Sequence, residues 1–106
     1  MNKRDKILNL IKGVVEKTAP GSEIYLYGSR ARGDSSRLSD WDVLILLSTK
    51  SVSFALETKF MDEFYEVELE LGEIISPMVY AKQDWDDRHA FTPLYENIKK
   101  EGVRIQ

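Results

Sequence analysis

At 106 residues, with 42% apolar and 31% charged side chains, the chain has the composition of one soluble globular domain spanning 1–106. Its formal net charge of -3 argues against a sequence-independent nucleic-acid binder, which needs a basic face. Without cysteine there is no disulfide framework and no thiolate zinc site, and a single histidine, His89, leaves almost nothing for a Ser-His-Asp triad. No apolar run approaches the roughly 20 residues of a membrane span, and no signal-peptide core follows the charged start, so the expected location is the cytoplasm.

Ile7, Leu8, Leu10, Ile11, Val14 and Val15 recur at helical spacing and predict an amphipathic helix near 3–18, ending before Pro20-Gly21. Ile24-Tyr25-Leu26-Tyr27 reads as a short strand cut by Gly28, followed by a short helix from Ser29 to about Asp34. After a loop marked by Gly33, Ser35 and Ser36, the nearly continuous apolar run Trp41 to Leu47 predicts a central strand covered on both faces. From Phe54 to Leu71 the pattern fits a helix, with Phe60, Met61, Phe64, Val67 and Leu71 on one face, and strand-like alternation over Tyr65, Val67, Leu69 and Leu71. Its length and the glycine at 72 favour the helix. Ile74 to Tyr80 is expected to be a strand, and Pro77, which has no N–H to give a ladder, assigns it to an edge or a bulge. Two short helices are expected near 83–88 and 93–101, the second opening at Thr92-Pro93. This order describes an α/β or α+β sandwich with one small mixed sheet flanked by helices. Trp85 and Phe91 read as packing residues, and the acids Glu57, Asp62, Glu63, Glu66, Glu68, Glu70 and Glu73 as a solvated face.

The chemistry concentrates in Tyr27-Gly28-Ser29-Arg30-Ala31-Arg32-Gly33-Asp34 and in Ser39-Asp40-Trp41-Asp42. Side chains alternate along a strand, so Asp40 and Asp42 project from one face with Cα atoms about 6.5–7 Å apart. Two carboxylates that close raise each other's proton affinity unless a cation intervenes, and a hard cation such as Mg²⁺ suits them. Two solvated acids at a strand entrance are the plain alternative for that pair alone. Gly28 allows close backbone approach to a ligand, and Ser29 adds a hydroxyl and a helix-start N–H for a phosphate oxygen; an ordinary N-cap is the competing reading. Arg30, Arg32 and Arg37 could clamp phosphate, or pair with acids such as Asp34. The spacing Gly28-x-x-x-x-Gly33 is followed by Asp34 rather than Lys-Ser/Thr, so it is not a P-loop.

Gly28-Ser29, ten residues, then Asp40-x-Asp42, with Ala31-Arg32-Gly33 inside the interval, resembles the signature of the minimal nucleotidyltransferases of the DNA-polymerase-β-like superfamily. The resemblance extends more loosely over residues 5–80 and implies the polymerase-β-like nucleotidyltransferase fold. It implies transfer of a nucleotidyl group, usually AMP from ATP, to an acceptor hydroxyl. In that reading Asp40 and Asp42 are catalytic and hold Mg²⁺, while Gly28, Ser29, Arg30 and Arg32 face the nucleotide. Minimal members commonly act as antitoxins that add AMP to a small helical HEPN ribonuclease, so a partner chain of that type is implied, with no membrane or nucleic acid; self-association is left open. The family's third carboxylate aligns near Ile74, where Glu73 stands beside it and could serve as the base if the strand is bulged. Without that acid, the resemblance implies a weak or inactive domain of the same fold, neutralising or regulating its partner by binding.

Overall fold

A computed structural model of the chain describes residues 2–36 and 39–106; Arg37, one of the three clustered arginines, lies outside the described residues. Helix α1 spans Lys3–Thr18. One of its first free N–H groups, that of Asp5, is met by the Asn2 side chain at 2.8 Å. Ile7, Ile11 and Val15 point inward and are fully buried, as their i, i+4 spacing requires. Strand β1 (Glu23–Tyr27) leads into the short helix α2 (Ser29–Arg32) and, past the loop, strand β2 (Trp41–Leu47). Helix α3 (Phe54–Leu71) opens on a Ser53 cap and stops at Gly72 in the left-handed conformation, the helix chosen over the strand. Strand β3 (Ile75–Ala81), helices α4 (Lys82–Arg88) and α5 (Pro93–Glu101) and a two-residue strand β4 (Val103–Arg104) complete the order.

The sheet order is β3-β2-β1-β4, with β2 parallel to β3 and antiparallel to β1, and β4 antiparallel to β1. Pro77 does sit on an edge strand, where a missing N–H costs no ladder bond on the open side. Strand β2 is covered on both faces. Trp41, Val43, Ile45 and Leu47 join α1 and α3 in the main core around Ile11, Phe60 and Phe64. Leu44 and Leu46 join a smaller cluster with Trp85 and Ile98 from α4 and α5. Trp85 is a packing residue as expected, but Phe91 is not: its side chain is 96% exposed.

Candidate functional site

The face of β2 that carries Leu44 and Leu46 also carries Asp42 at its start, with Asp40 two positions earlier. Asp42 is paired in register with Tyr27 on one side and Ser76 on the other. Asp40 accepts a hydrogen bond at 2.9 Å from the Ser76 hydroxyl. Burial pushes the Asp42 carboxyl above its ordinary range, and the Asp40 charge adds to the push, with Arg32 opposing it. The Tyr27 phenol is pushed up to about 12 by burial first, then by the Asp42 charge and Tyr80. It stays a neutral hydroxyl next to the acids.

Gly28 is required here by both conformation and space. Its φ of 75° with ψ of -159° is a region that side chains other than glycine rarely enter. A Cβ built on it would lie 2.5 Å from the Asp42 Oδ2. The Gly28 carbonyl accepts from the N–H groups of Ala31 and Arg32, which closes the turn of α2. Substituting alanine at Gly28 is expected to cost about 1–3 kcal/mol and to displace the Asp42 carboxylate; chemical denaturation and Mg²⁺–ATP titration of the variant check both effects.

The remaining candidates divide. Arg32 points to this side of the sheet: it pairs with Asp34 at 3.2 Å and with Glu101 of α5 at 3.1 Å, and its charge is felt at Asp42. Arg30 turns the other way. Its guanidinium donates to the Ser39 carbonyl at 2.8 Å, lies 3.6 Å from Glu73 and stacks over Trp41 at 4.4 Å. Those contacts hold the backbone immediately before Asp40 and keep the Arg30 guanidinium with Glu73 and Trp41, on the face opposite to Asp42.

Glu73 is likewise removed from the acids. It is 7% exposed and takes a hydrogen bond from the Trp41 indole, with Lys3 and Arg30 as ion-pair partners. Trp41 faces the α1 and α3 core, opposite to Asp42, so Glu73 sits across the sheet from the candidate site. It is not part of the solvated face either. The expected alignment of a third acid near Ile74 also shifts. Trp41 donates its N–H to the Ile74 carbonyl, the ladder begins there, and Ser76 becomes the neighbour of Asp42. Ser76 is the residue missed by reading the sequence. Its even spacing from Ile74 was the available signal, since both would face the same side of a strand.

Asp40, Asp42 and the Ser76 hydroxyl form an all-oxygen donor set that suits a hard cation, and the mutual repulsion of the two acids is what such an ion would relieve. Only two carboxylates meet: among the described residues no group of three or more His, Cys, Asp or Glu is placed to hold a metal. A cavity of about 380 Å³ on the same face is lined by Leu44, Leu46, Trp85 and Tyr95, and neither Asp40 nor Asp42 borders it.

A family model described as a nucleotidyltransferase domain matches residues 7–105. A comparison with curated proteins finds no match. Among solved structures, a toxin-antitoxin with AMP-PNP superposes with a TM-score of 0.68 at 20% identity, covering 93% of this chain and 72% of that one. A toxin-antitoxin MntA-HpeT mutant with two aspartates changed to glutamate gives 0.67 at 18% identity, over the same shares of the two chains. A second MntA-HpeT mutant, with a tyrosine changed to alanine, gives 0.63 at 19% identity, covering 100% of this chain and 73% of that one. At these identities the superpositions establish the fold, a four-stranded mixed sheet flanked by helices. The match of the family model along nearly the whole chain, on a fold that sets Gly28 against Asp42, makes this chain a member of the nucleotidyltransferase domain family.

Proposed function

We propose that the chain is a Mg²⁺-dependent nucleotidyltransferase that moves AMP from ATP to a hydroxyl on a partner protein, of the small helical HEPN type. The observation that carries this reading is the packing of Gly28 against Asp42, which sets the turn beside an acid pair whose charges need a cation. The neighbours described as toxin-antitoxin, one with AMP-PNP, support the choice of nucleotide and partner. In one of them the two substituted aspartates stand two residues apart, the spacing of Asp40 and Asp42.

The transfer forms a bond from the acceptor oxygen to the α-phosphorus and breaks the bond from that phosphorus to the α–β bridging oxygen, releasing pyrophosphate, with the acceptor hydroxyl's proton passing to solvent. Bound Mg²⁺ would neutralise phosphate charge and lower the proton affinity of the attacking oxygen. Asp40 and Asp42 would hold that ion, and the Ser76 hydroxyl fixes the rotamer of Asp40. Ser29 and the first N–H groups of α2 meet phosphate oxygens, and Arg32 supplies a cation at the mouth of the site. A reaction that draws on ATP supports a cytoplasmic location. The test is incubation of the chain, Mg²⁺ and α-labelled ATP with the product of the adjacent reading frame. Label should pass to that protein, and the Asp40→Ala, Asp42→Ala double variant should transfer none.

A second reading has its own observation. With Ser76 beside Asp42 and Glu73 across the sheet, no third carboxylate among the described residues is in place to take the acceptor proton. The chain would then neutralise its partner by binding, with weak or absent turnover. General-base help is worth about 10²–10⁴-fold, so Ser76→Asp is expected to raise transfer by at least tenfold if proton removal limits the rate. Single-turnover label transfer by the two proteins measures it. An unchanged or lower rate means that the acceptor proton leaves by another route.

A further inference from the structure

We infer that the outer face of α3 docks a protein partner through a helix with an apolar stripe and lysine or arginine flanks. Phe54, Met61, Tyr65 and Leu69 are 85%, 41%, 57% and 63% exposed. At 100° per residue they fall within an arc of roughly 80° on the helix, centred roughly 130° round from the buried Phe60, Phe64 and Val67. Four large apolar side chains in one stripe on an exposed helix face are the anchors of a helix-in-groove or helix-on-helix contact rather than scattered surface residues.

The charge beside the stripe identifies the occupant. Asp62, Glu66 and Glu70 follow one edge, and Glu57 stands on the other, with Lys59 the one basic residue among the exposed charges of α3. Among the described residues none of these four acids has an ion-pair partner. A second copy of this chain would bring the same acids face to face, and nucleic acid or an anionic membrane would be repelled. Basic flanks on a protein helix complete the match.

The stripe ends at the same end of the sheet as the acid pair. Near the end of α3, Glu68 accepts from the N–H of Ile75, the next residue after Ile74, which is 58% exposed. Ile75 precedes Ser76, the residue that holds Asp40. A partner lying along α3 from Phe54 to Leu69 therefore ends near the start of β3, at the end of the sheet where β2 begins but on the face opposite to Asp42. This placement rests on the reading that the acceptor hydroxyl belongs to a protein.

The test uses binding alone, so that its failure is separate from a failure of transfer. The probe is a displayed library of helical peptides with a fixed Leu/Phe stripe and flanks randomised among Lys, Arg, Glu and Gln. Selection on the intact chain is expected to converge on Lys/Arg flanks, with amide shifts confined to α3 and Ile74. The Tyr65→Glu, Leu69→Glu variant should weaken the selected peptide at least tenfold while leaving Mg²⁺–ATP affinity unchanged, and 0.5 M salt should weaken it as well. No enrichment, neutral or acidic flanks, or shifts on another surface would overturn the proposal. So would sedimentation of the free chain as a dimer that the same variant dissociates.

Discussion

Asp42→Asn is expected to lower AMP transfer by at least about 10²–10³-fold, the usual cost of losing one charge-stabilising group from a site of this kind, while making the folded chain more stable at neutral pH. The two effects have one cause. Asp42 is held above its ordinary 3.8 by burial and by the charge of Asp40, so the folded chain binds the Asp42 proton more tightly than the unfolded chain does. Above 3.8 the unfolded chain gives up that proton more readily, so stability falls as pH rises through the folded value. Asparagine removes that penalty at pH 7 and changes little near pH 3, where both states are protonated. Mg²⁺ should reverse the ranking, since the ion binds the folded parent chain and not the variant. At about 100 times its Kd it adds about 2.7 kcal/mol. Thermal denaturation at pH 7 with and without Mg²⁺, beside a label-transfer assay, measures all of this. An Asp42→Asn chain that still transfers label, or one less stable than the parent at pH 7 without metal, contradicts the assignment.

That prediction could be framed from the sequence, because the relation between Asp40 and Asp42 is local. Strand alternation puts them on one face whatever the rest of the chain does. The long helices were legible for the same reason: Ile7, Ile11 and Val15, or Phe60, Phe64 and Val67, define a face by spacing alone, although Met61, expected on the same face as Phe60, is exposed. Pro77 marked its strand as an edge because the missing N–H is a property of the residue. What depends on pairing between distant segments was not legible. Strand β4 is two residues long and exists only because Val103 and Arg104 meet Leu26 and Tyr25. Ser76 was missed because the register of β3 is set by the hydrogen bond from Trp41 to Ile74, which no local pattern encodes. Arg30 was expected to face the nucleotide, and Glu73 to be a solvated acid or a substitute base, for the same reason. Their charges are visible in the sequence, but the choice between solvent, phosphate and each other is made by where α1, α2 and Trp41 converge.

That convergence makes Glu73→Gln the substitution with the largest expected effect on stability. Three elements meet at the carboxylate: Lys3 from α1, Arg30 from α2 and the Trp41 indole from β2. Arg30 is 13% exposed and Glu73 7%, so neutralising the acid leaves a mostly buried guanidinium without its counter-charge. Breaking such a pair from one side costs about 3 kcal/mol. Lys3, 68% exposed, recovers its hydration instead, so Lys3→Met should cost under about 1 kcal/mol. The pH dependence separates this from simple loss of packing. The hydrogen bond to Lys3, with help from Trp41 and Arg30, holds the Glu73 carboxyl below its ordinary 4.5 despite burial. A depressed folded value means that the stabilisation is fully present above 4.5 and is lost as pH falls through the folded value. The gap between parent and Glu73→Gln should therefore be constant from pH 8 to 5 and close below 4.5. A gap that persists unchanged at pH 3 would show that the amide merely packs badly. Function should follow stability by a short path, because Arg30 also holds the Ser39 carbonyl next to Asp40. Freed from Glu73, that arginine no longer fixes the approach to β2, and Mg²⁺ affinity should drop although no residue facing the metal has changed.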